Sequence, residues 1–235
     1  MFLAPSHILL TGASSGIGRA VAVALAAQGH SLSLCGREPA KLAQTLALLP
    51  KDTAVFSQSF SVTETAAISQ FCQQATQQFG QVDVLINCAG ANSSRSAATE
   101  PDWSALEQMM QLNFYAPLHF IQQLVPGMQQ QGKGIVLNVL STVCLFSNPG
   151  ISAYSASKAA LDSYSKVLRK ELNGTGVKVL SLYPGGVDTE FRVASRPDYL
   201  SAEDVAEAIL LMLGSSAKAH IHELVLRPAI ETNFC

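Results

Sequence analysis

Short apolar runs rich in β-forming residues alternate with longer segments of helical period along the whole of this 235-residue chain, and that alternation restricts the fold more than any other feature. A strand reached from its neighbour through a helix pairs with it in parallel, so repeated units of this kind build a parallel sheet covered by helices on both faces. The predicted strands are His7–Leu10, Ser31–Cys35, Thr53–Ser57, Val82–Asn87, Gly134–Leu140, Lys178–Tyr183 and Glu223–Leu226. Between them the period of 3.6 predicts helices over Gly16–Gln28, Ala40–Leu48, Thr63–Phe79, Trp103–Gln131, Ala153–Leu172 and Ala202–Leu213. About seven parallel strands flanked by helices define a doubly wound α/β fold, whose ligand sits beyond the carboxyl ends of the strands where strand order reverses. No low-complexity stretch or charge block divides the chain, so a single domain over residues 1–235 is expected.

Composition narrows the partners. Apolar residues make up 48% and charged residues 14%, which leaves more apolar surface than a well-solvated monomer carries and predicts self-association. A net charge of −2 with no clustered basic segment gives no attraction to nucleic acid or to anionic membranes, so a small diffusing ligand is expected. The longest apolar stretch, Ala20 to Ala27, is too short to span a bilayer, and Met1 to Leu10 lacks a basic region and a cleavage site, which predicts a cytoplasmic chain. Cys35, Cys72, Cys88, Cys144 and Cys235 are odd in number, far apart and without a CxxC pair; they read as small buried hydrophobes rather than a disulfide or zinc framework. His220 and His222 share a strand face but have no ligand set beyond Glu223, so no metal site is predicted. The glutamines within Gln70–Gln81 and Gln129–Gln131 alternate with apolar residues and read as solvated helix faces.

Directly behind the first strand stands Thr11-Gly12-Ala13-Ser14-Ser15-Gly16-Ile17-Gly18, and an amphipathic helix follows. This is the strand, turn and helix context that a dinucleotide loop requires. Gly12 suits a tight turn, Gly16 a close approach of backbone to pyrophosphate, and Gly18 close packing of helix on sheet. At the end of the second strand, where an NAD enzyme places an acid on the ribose 2′-hydroxyl, the chain has Gly36-Arg37. A guanidinium there grips a 2′-phosphate, and the cofactor expected is NADP(H).

In motif order from Thr11 to Thr189 the chain resembles the short-chain dehydrogenase/reductase family, a group of single Rossmann-like domains. Its TGxxxGIG loop is Thr11 to Gly18, its NNAG is Asn87-Cys88-Ala89-Gly90, its YxxxK is Tyr154-Ser155-Ala156-Ser157-Lys158, and its PGxVxT is Pro184-Gly185-Gly186-Val187-Asp188-Thr189. The family's catalytic Ser corresponds to Ser141 and its helix-borne Asn to Asn113. The resemblance implies hydride transfer between NADP(H) and a small carbonyl or alcohol. Tyr154 would be the general acid/base, Lys158 would bond the nicotinamide ribose and favour the phenolate, Ser141 would hold the substrate oxygen, and Asn113 would position a water in a proton relay. Residues four apart share a helix face, so Tyr154 and Lys158 can address one pocket, and a nearby ammonium lowers a phenol from its usual pKa of about 10. The implied cofactor contacts are Gly12, Ser14, Ser15, Gly16, Ile17, Gly18, Arg37, Ser61, Asn87, Ala89, Gly90, Tyr154, Lys158, Pro184, Gly185, Val187 and Thr189.

Three departures from the family pattern stand out. Cys88 replaces the second Asn of NNAG, Ser61 stands where an Asp usually meets the adenine, and the Thr189–Ser201 segment is short, which predicts an open pocket. Pocket walls are expected from Ser93–Ala98, Cys144–Ile151 and Val187–Arg196, with Phe146 and Phe191 as apolar candidates and Arg192 or Arg196 as partners for a carboxylate. The segment His222–Pro228 resembles the branch of the family that handles small hydroxy acids, amino-alcohols and simple carbonyls. Two other readings are a 3-oxoacyl-carrier-protein reductase, for which no basic docking cluster is obvious, and a non-catalytic NADP(H)-binding redox sensor, against which all four catalytic positions are kept. In the resembling family, helices equivalent to Trp103–Gln131 and Ala153–Leu172 pack between subunits, so a homodimer or homotetramer is expected.

Overall fold

The computed structural model describes residues 4–191, 195–216 and 218–232. Its seven strands are β1 (His7–Thr11), β2 (Ser31–Gly36), β3 (Val55–Ser59), β4 (Val84–Asn87), β5 (Gly134–Val139), β6 (Val177–Pro184) and β7 (Glu223–Leu226). They form one parallel sheet in the order β3-β2-β1-β4-β5-β6-β7. Strand order reverses between β1 and β4, so the crevice expected of a doubly wound sheet opens beyond the carboxyl ends of these two strands.

The side-chain period of two divides the core. Ile8 and Leu10 of β1 face a cluster shared with Val21, Ala22 and Leu25 of α1 (Gly16–Ala27) and with Val205, Ile209 and Met212 of α7 (Ala202–Leu213). Leu9 points the other way, toward Ile68, Phe71 and Cys72 of α3 (Thr65–Phe79) and Phe120 and Leu124 of α5 (Ala116–Gln131). Each fully buried Val, Leu, Ile, Phe or Met side chain contributes about 1.5–3 kcal/mol, so both faces of the sheet are committed to helices. Two more helices complete the cover, α2 (Pro39–Ala47) and α6 (Ser152–Glu171), with α4 (Trp103–Met110) leading into α5.

The predicted elements are all present, with two differences of substance. β3 begins at Val55 rather than Thr53, because the Thr53 amide donates to the Pro50 carbonyl in a turn. The predicted single helix Trp103–Gln131 contains a π-helical turn over Gln111–Tyr115, between α4 and α5. A π turn widens the helix by one residue and is a frequent mark of functional sites; here it carries Asn113, which is fully buried. Among the described residues no helix is long and apolar enough to cross a membrane, and no group of three or more His, Cys, Asp and Glu is placed to hold a metal ion. Cys35, Cys72, Cys88 and Cys144 are free, while Cys235 lies outside the described residues.

Two buried histidines tie the amino-terminal strand to its neighbours. His7 Nδ1 donates to the Gly80 carbonyl at 2.9 Å, and its Nε2 shares a 2.8 Å hydrogen bond with the Ser33 hydroxyl. His30 Nδ1 accepts from the Ser6 amide. Burial holds both imidazoles below their usual pKa, and for His7 the Gly80 carbonyl partly offsets the effect. The unfolded chain therefore takes up protons near pH 6.5 that the folded chain refuses, and stability falls as pH drops below 6.5 toward the lowered folded values. Thermal melts between pH 7.5 and 5.5 are expected to show a falling Tm, about 2–4 °C for each kcal/mol lost in a chain of this size. A Tm flat or rising toward pH 5.5 contradicts this account.

Candidate active site

Beyond the carboxyl ends of the strands lies one large cleft of about 2090 Å³. At one end is the turn from β1 into α1. Gly12 has φ +75°, and a Cβ there would come within 2.9 Å of the Ala89 backbone. A Cβ on Gly18 would run into the Gly12 carbonyl oxygen. The loop thus closes only with glycine at both positions, and it brings Gly16, Ile17 and Gly18 to the cleft wall at the start of α1. The first amides of a helix have no partner inside it and meet an anion with the positive end of the helix dipole.

Thr11, which opens the TGxxxGIG motif, fastens the other side. Its Oγ1 accepts from the amides of Cys88 and Ala89 at 3.1 and 3.0 Å, so the backbone after β4 is held to the end of β1 whatever side chain stands at position 88. Burial pushes the Cys88 thiol up to about 12, which makes it a small apolar group. Arg19 braces the loop from α1: its guanidinium donates to the Ser14 carbonyl at 2.6 Å, to Thr45 Oγ1 at 3.1 Å and to Gln44 Oε1 at 3.3 Å. Neither Arg19 nor Thr45 carries a local pattern that would reveal this.

Beside the end of β2, Ser14 Oγ is buried without a hydrogen-bond partner among the described residues, and a Cβ on Gly36 would overlap it. A buried hydroxyl left unsatisfied is costly unless something completes it, and with the glycine cradle it fits a dinucleotide. The residues able to hold one at this end are Ser14, Ser15, Arg37 and Ser61, all on the cleft wall. Arg37 is 78% exposed and pairs loosely with Glu38 at 3.6 Å. Ser61 Oγ contacts Thr63 Oγ1 at 2.8 Å.

The far end is built by α6. Tyr154 and Lys158 are both buried and both border the cleft, as does Ser141 from the end of β5. Lys158 Nζ donates to the Val139 carbonyl at 2.8 Å, and a Cβ on Gly90 would stand 3.3 Å from the same nitrogen. Burial pushes the Lys158 ammonium down, and among the described residues the Val139 carbonyl is its one hydrogen-bond acceptor, which leaves N–H donors for a ligand or for Tyr154. Ser141 Oγ accepts from the Val143 amide at 3.3 Å, capping a short 3₁₀ turn over Thr142–Cys144. Among the described residues its hydroxyl proton has no acceptor, so it can donate to a ligand. The Phe191 ring centroid lies 6.1 Å from that of Tyr154.

Of the predicted residues, Asn113 and Asn87 do not reach the cleft wall. Asn113 sits behind it, donating to the Ala91 carbonyl and to Ser157 Oγ, both at 2.9 Å, and accepting from the Ala91 amide. Both amide N–H groups are thereby occupied, and the side chain fixes the loop after Gly90. Asn87 donates to Asn138 Oδ1 at 2.8 Å, and Asn138 donates to Ser165 Oγ at 2.9 Å; this buried chain ties β4 to β5 and α6. Phe146 also departs from its expected place, lying under the Arg227 guanidinium at 5.1 Å instead of lining the cleft. On the substrate side the wall is formed by Ser93, Arg95, Asn148, Phe191 and Arg196, joined by Trp103, Leu106 and Met110 of the α4 region. Arg192 lies outside the described residues.

Known proteins share this arrangement. The family model described as short chain dehydrogenase matches residues 6–200. An uncharacterized oxidoreductase of Staphylococcus saprophyticus is 35% identical over 227 residues, spanning 94% of this chain and 96% of that protein. Among solved structures, the closed form of a serine dehydrogenase complexed with NADP+ is similar with a TM-score of 0.89 at 25% identity, over 96% of each chain. The serine dehydrogenase from Escherichia coli is similar with a TM-score of 0.85 at 26% identity, over 96% of this chain and 99% of that one. With the motif order, the sheet topology and the cleft in agreement, the chain belongs to the short chain dehydrogenase family of oxidoreductases.

Proposed function

We propose that this protein moves hydride between NADP(H) and a small carbonyl or alcohol, with Tyr154 as the proton donor and acceptor. The observation that carries the reading is one cleft with a glycine cradle and Arg37 at one end and Tyr154, Lys158 and Ser141 at the other. When bound, the nicotinamide supplies the hydride. The chain's own residues do the rest. Lys158, held by the Val139 carbonyl, places a cation near Tyr154 and favours its phenolate. The Ser141 hydroxyl donates to the substrate oxygen, and the amides at the start of α1 with Arg37 hold the phosphates. The wall from Phe191, Trp103, Leu106 and Met110 gives the reacting end an apolar side against which a small substrate rests.

NADP(H) is favoured over NAD(H) by Arg37 in place of an acid and by the likeness to a serine dehydrogenase complexed with NADP+. That likeness also supports a small polar alcohol as substrate. Tyr115, Tyr164 and Val167, exposed on the π turn and on α6, support assembly as a homodimer or homotetramer through this apolar face, which light scattering reads directly. A cytoplasmic enzyme acting on a diffusing metabolite fits these features.

The test is a titration with NADPH and with NADH, followed by nicotinamide fluorescence, and then assay of a panel of small aldehydes, ketones and hydroxy acids. NADPH-selective binding with turnover supports the reading. Tight binding with no turnover on any panel member would favour the redox sensor, and no binding of either nucleotide would sink it.

A further inference from the structure

The segment after β6 lies against the glycine loop, since a Cβ on Gly16 would stand 3.2 Å from Thr189 Cβ. Its next residue, Glu190, reaches α2, where its Oε2 accepts from Lys41 Nζ at 2.6 Å. Lys41 Nζ also lies 3.8 Å from Glu38 Oε2, and Glu38 Oε1 lies 3.6 Å from Arg37 Nη2. Four charges of alternating sign, Arg37, Glu38, Lys41 and Glu190, therefore run along one rim of the main cleft, starting where β2 ends. Arg37 and Lys41 are four residues apart and flank the start of α2, where the reading above places the 2′-phosphate. Arg19, the other cation nearby, is already occupied by Ser14, Thr45 and Gln44.

The Lys41–Glu190 pair is exposed, with side chains 36% and 56% accessible, and such pairs hold weakly. A phosphate monoester carries nearly twice the charge of a carboxylate and three acceptor oxygens, so it outcompetes Glu190 for the ammonium. We propose that Lys41 serves two anions in turn, Glu190 in the free protein and the 2′-phosphate of NADP(H) in the complex, making Glu190 an internal competitor for the 2′-phosphate subsite. Occupation of that subsite unties the post-β6 segment from α2. Phe191, next to Glu190, lies against Tyr154, so the exchange reaches the catalytic end.

This inference rests on the NADP(H) reading, and the test separates the two. Dissociation constants for adenosine 2′,5′-bisphosphate and adenosine 5′-monophosphate are measured by calorimetry on the parent, Glu190→Gln, Lys41→Gln, the double variant and Arg37→Gln, with thermal melts confirming that each is folded. Glu190→Gln is expected to tighten the bisphosphate by about threefold and to leave the monophosphate unchanged. Lys41→Gln is expected to weaken the bisphosphate by about five- to tenfold, and in its background Glu190→Gln has no further effect. The proposal is overturned if Glu190→Gln moves both nucleotides equally, moves neither, or still tightens the bisphosphate without Lys41. If the parent prefers the bisphosphate and only Arg37→Gln removes the preference, the role of Lys41 falls while the NADP(H) reading stands. If the parent does not distinguish the two nucleotides, both fall.

Discussion

Tyr154→Phe is expected to lower turnover by about 10²–10⁴-fold, the usual worth of a positioned general acid or base, while nucleotide affinity stays within about twofold of the parent. The ring is 8% exposed and packs with Met109, Val143, Ile151 and Ala153. Phenylalanine keeps that packing and removes only the hydroxyl, so the fold and the cleft remain. Steady-state rates on any substrate found in the panel, set beside NADPH binding to the same preparation, make the check. A variant retaining more than about a tenth of parental turnover assigns the proton transfer to another group.

Gly18→Ala is expected to have the second largest effect. A Cβ at this position meets the carbonyl oxygen and carbon of Gly12, which is backbone and has no rotamer through which to yield. The turn must open, and overpacking of this kind costs about 1–3 kcal/mol. If that cost falls on the phosphate-binding conformation, nucleotide affinity drops by about 10–100-fold; if it falls on the fold, Tm drops instead. Fluorescence titration and a thermal melt on the same sample distinguish the two. A variant with parental affinity and parental Tm shows that the loop tolerates a methyl group and refutes the packing argument.

Local pattern made much of the fold legible. The glycine loop was identifiable because its glycines answer to backbone demands set within eight residues, such as the positive φ of Gly12. Tyr154 and Lys158 were identifiable because a four-residue spacing on a helix is itself a geometric statement. β3 was displaced because an apolar run and a turn overlap at Thr53, and only the hydrogen bond to Pro50 shows which prevails. Phe146 was assigned to the pocket from its place between Ser141 and Tyr154, but aromatic side chains go where partners meet them, and here the partner is Arg227, eighty-one positions along the chain.

By itself the sequence determined the parallel sheet with its helical layers, the glycine turn after the first strand and the helix that carries Tyr154 and Lys158, because each follows from periodicity or backbone constraint over one or two turns. Tertiary structure alone decided which polar residues face the cleft and which stand behind it. The π turn that buries Asn113 against Ala91 and Ser157, the Asn87, Asn138 and Ser165 chain beneath the wall, and the Lys41–Glu190 pair across 149 positions leave no periodic trace. Their energies arise between segments that meet only when the sheet has formed, so no local window of the sequence contains them.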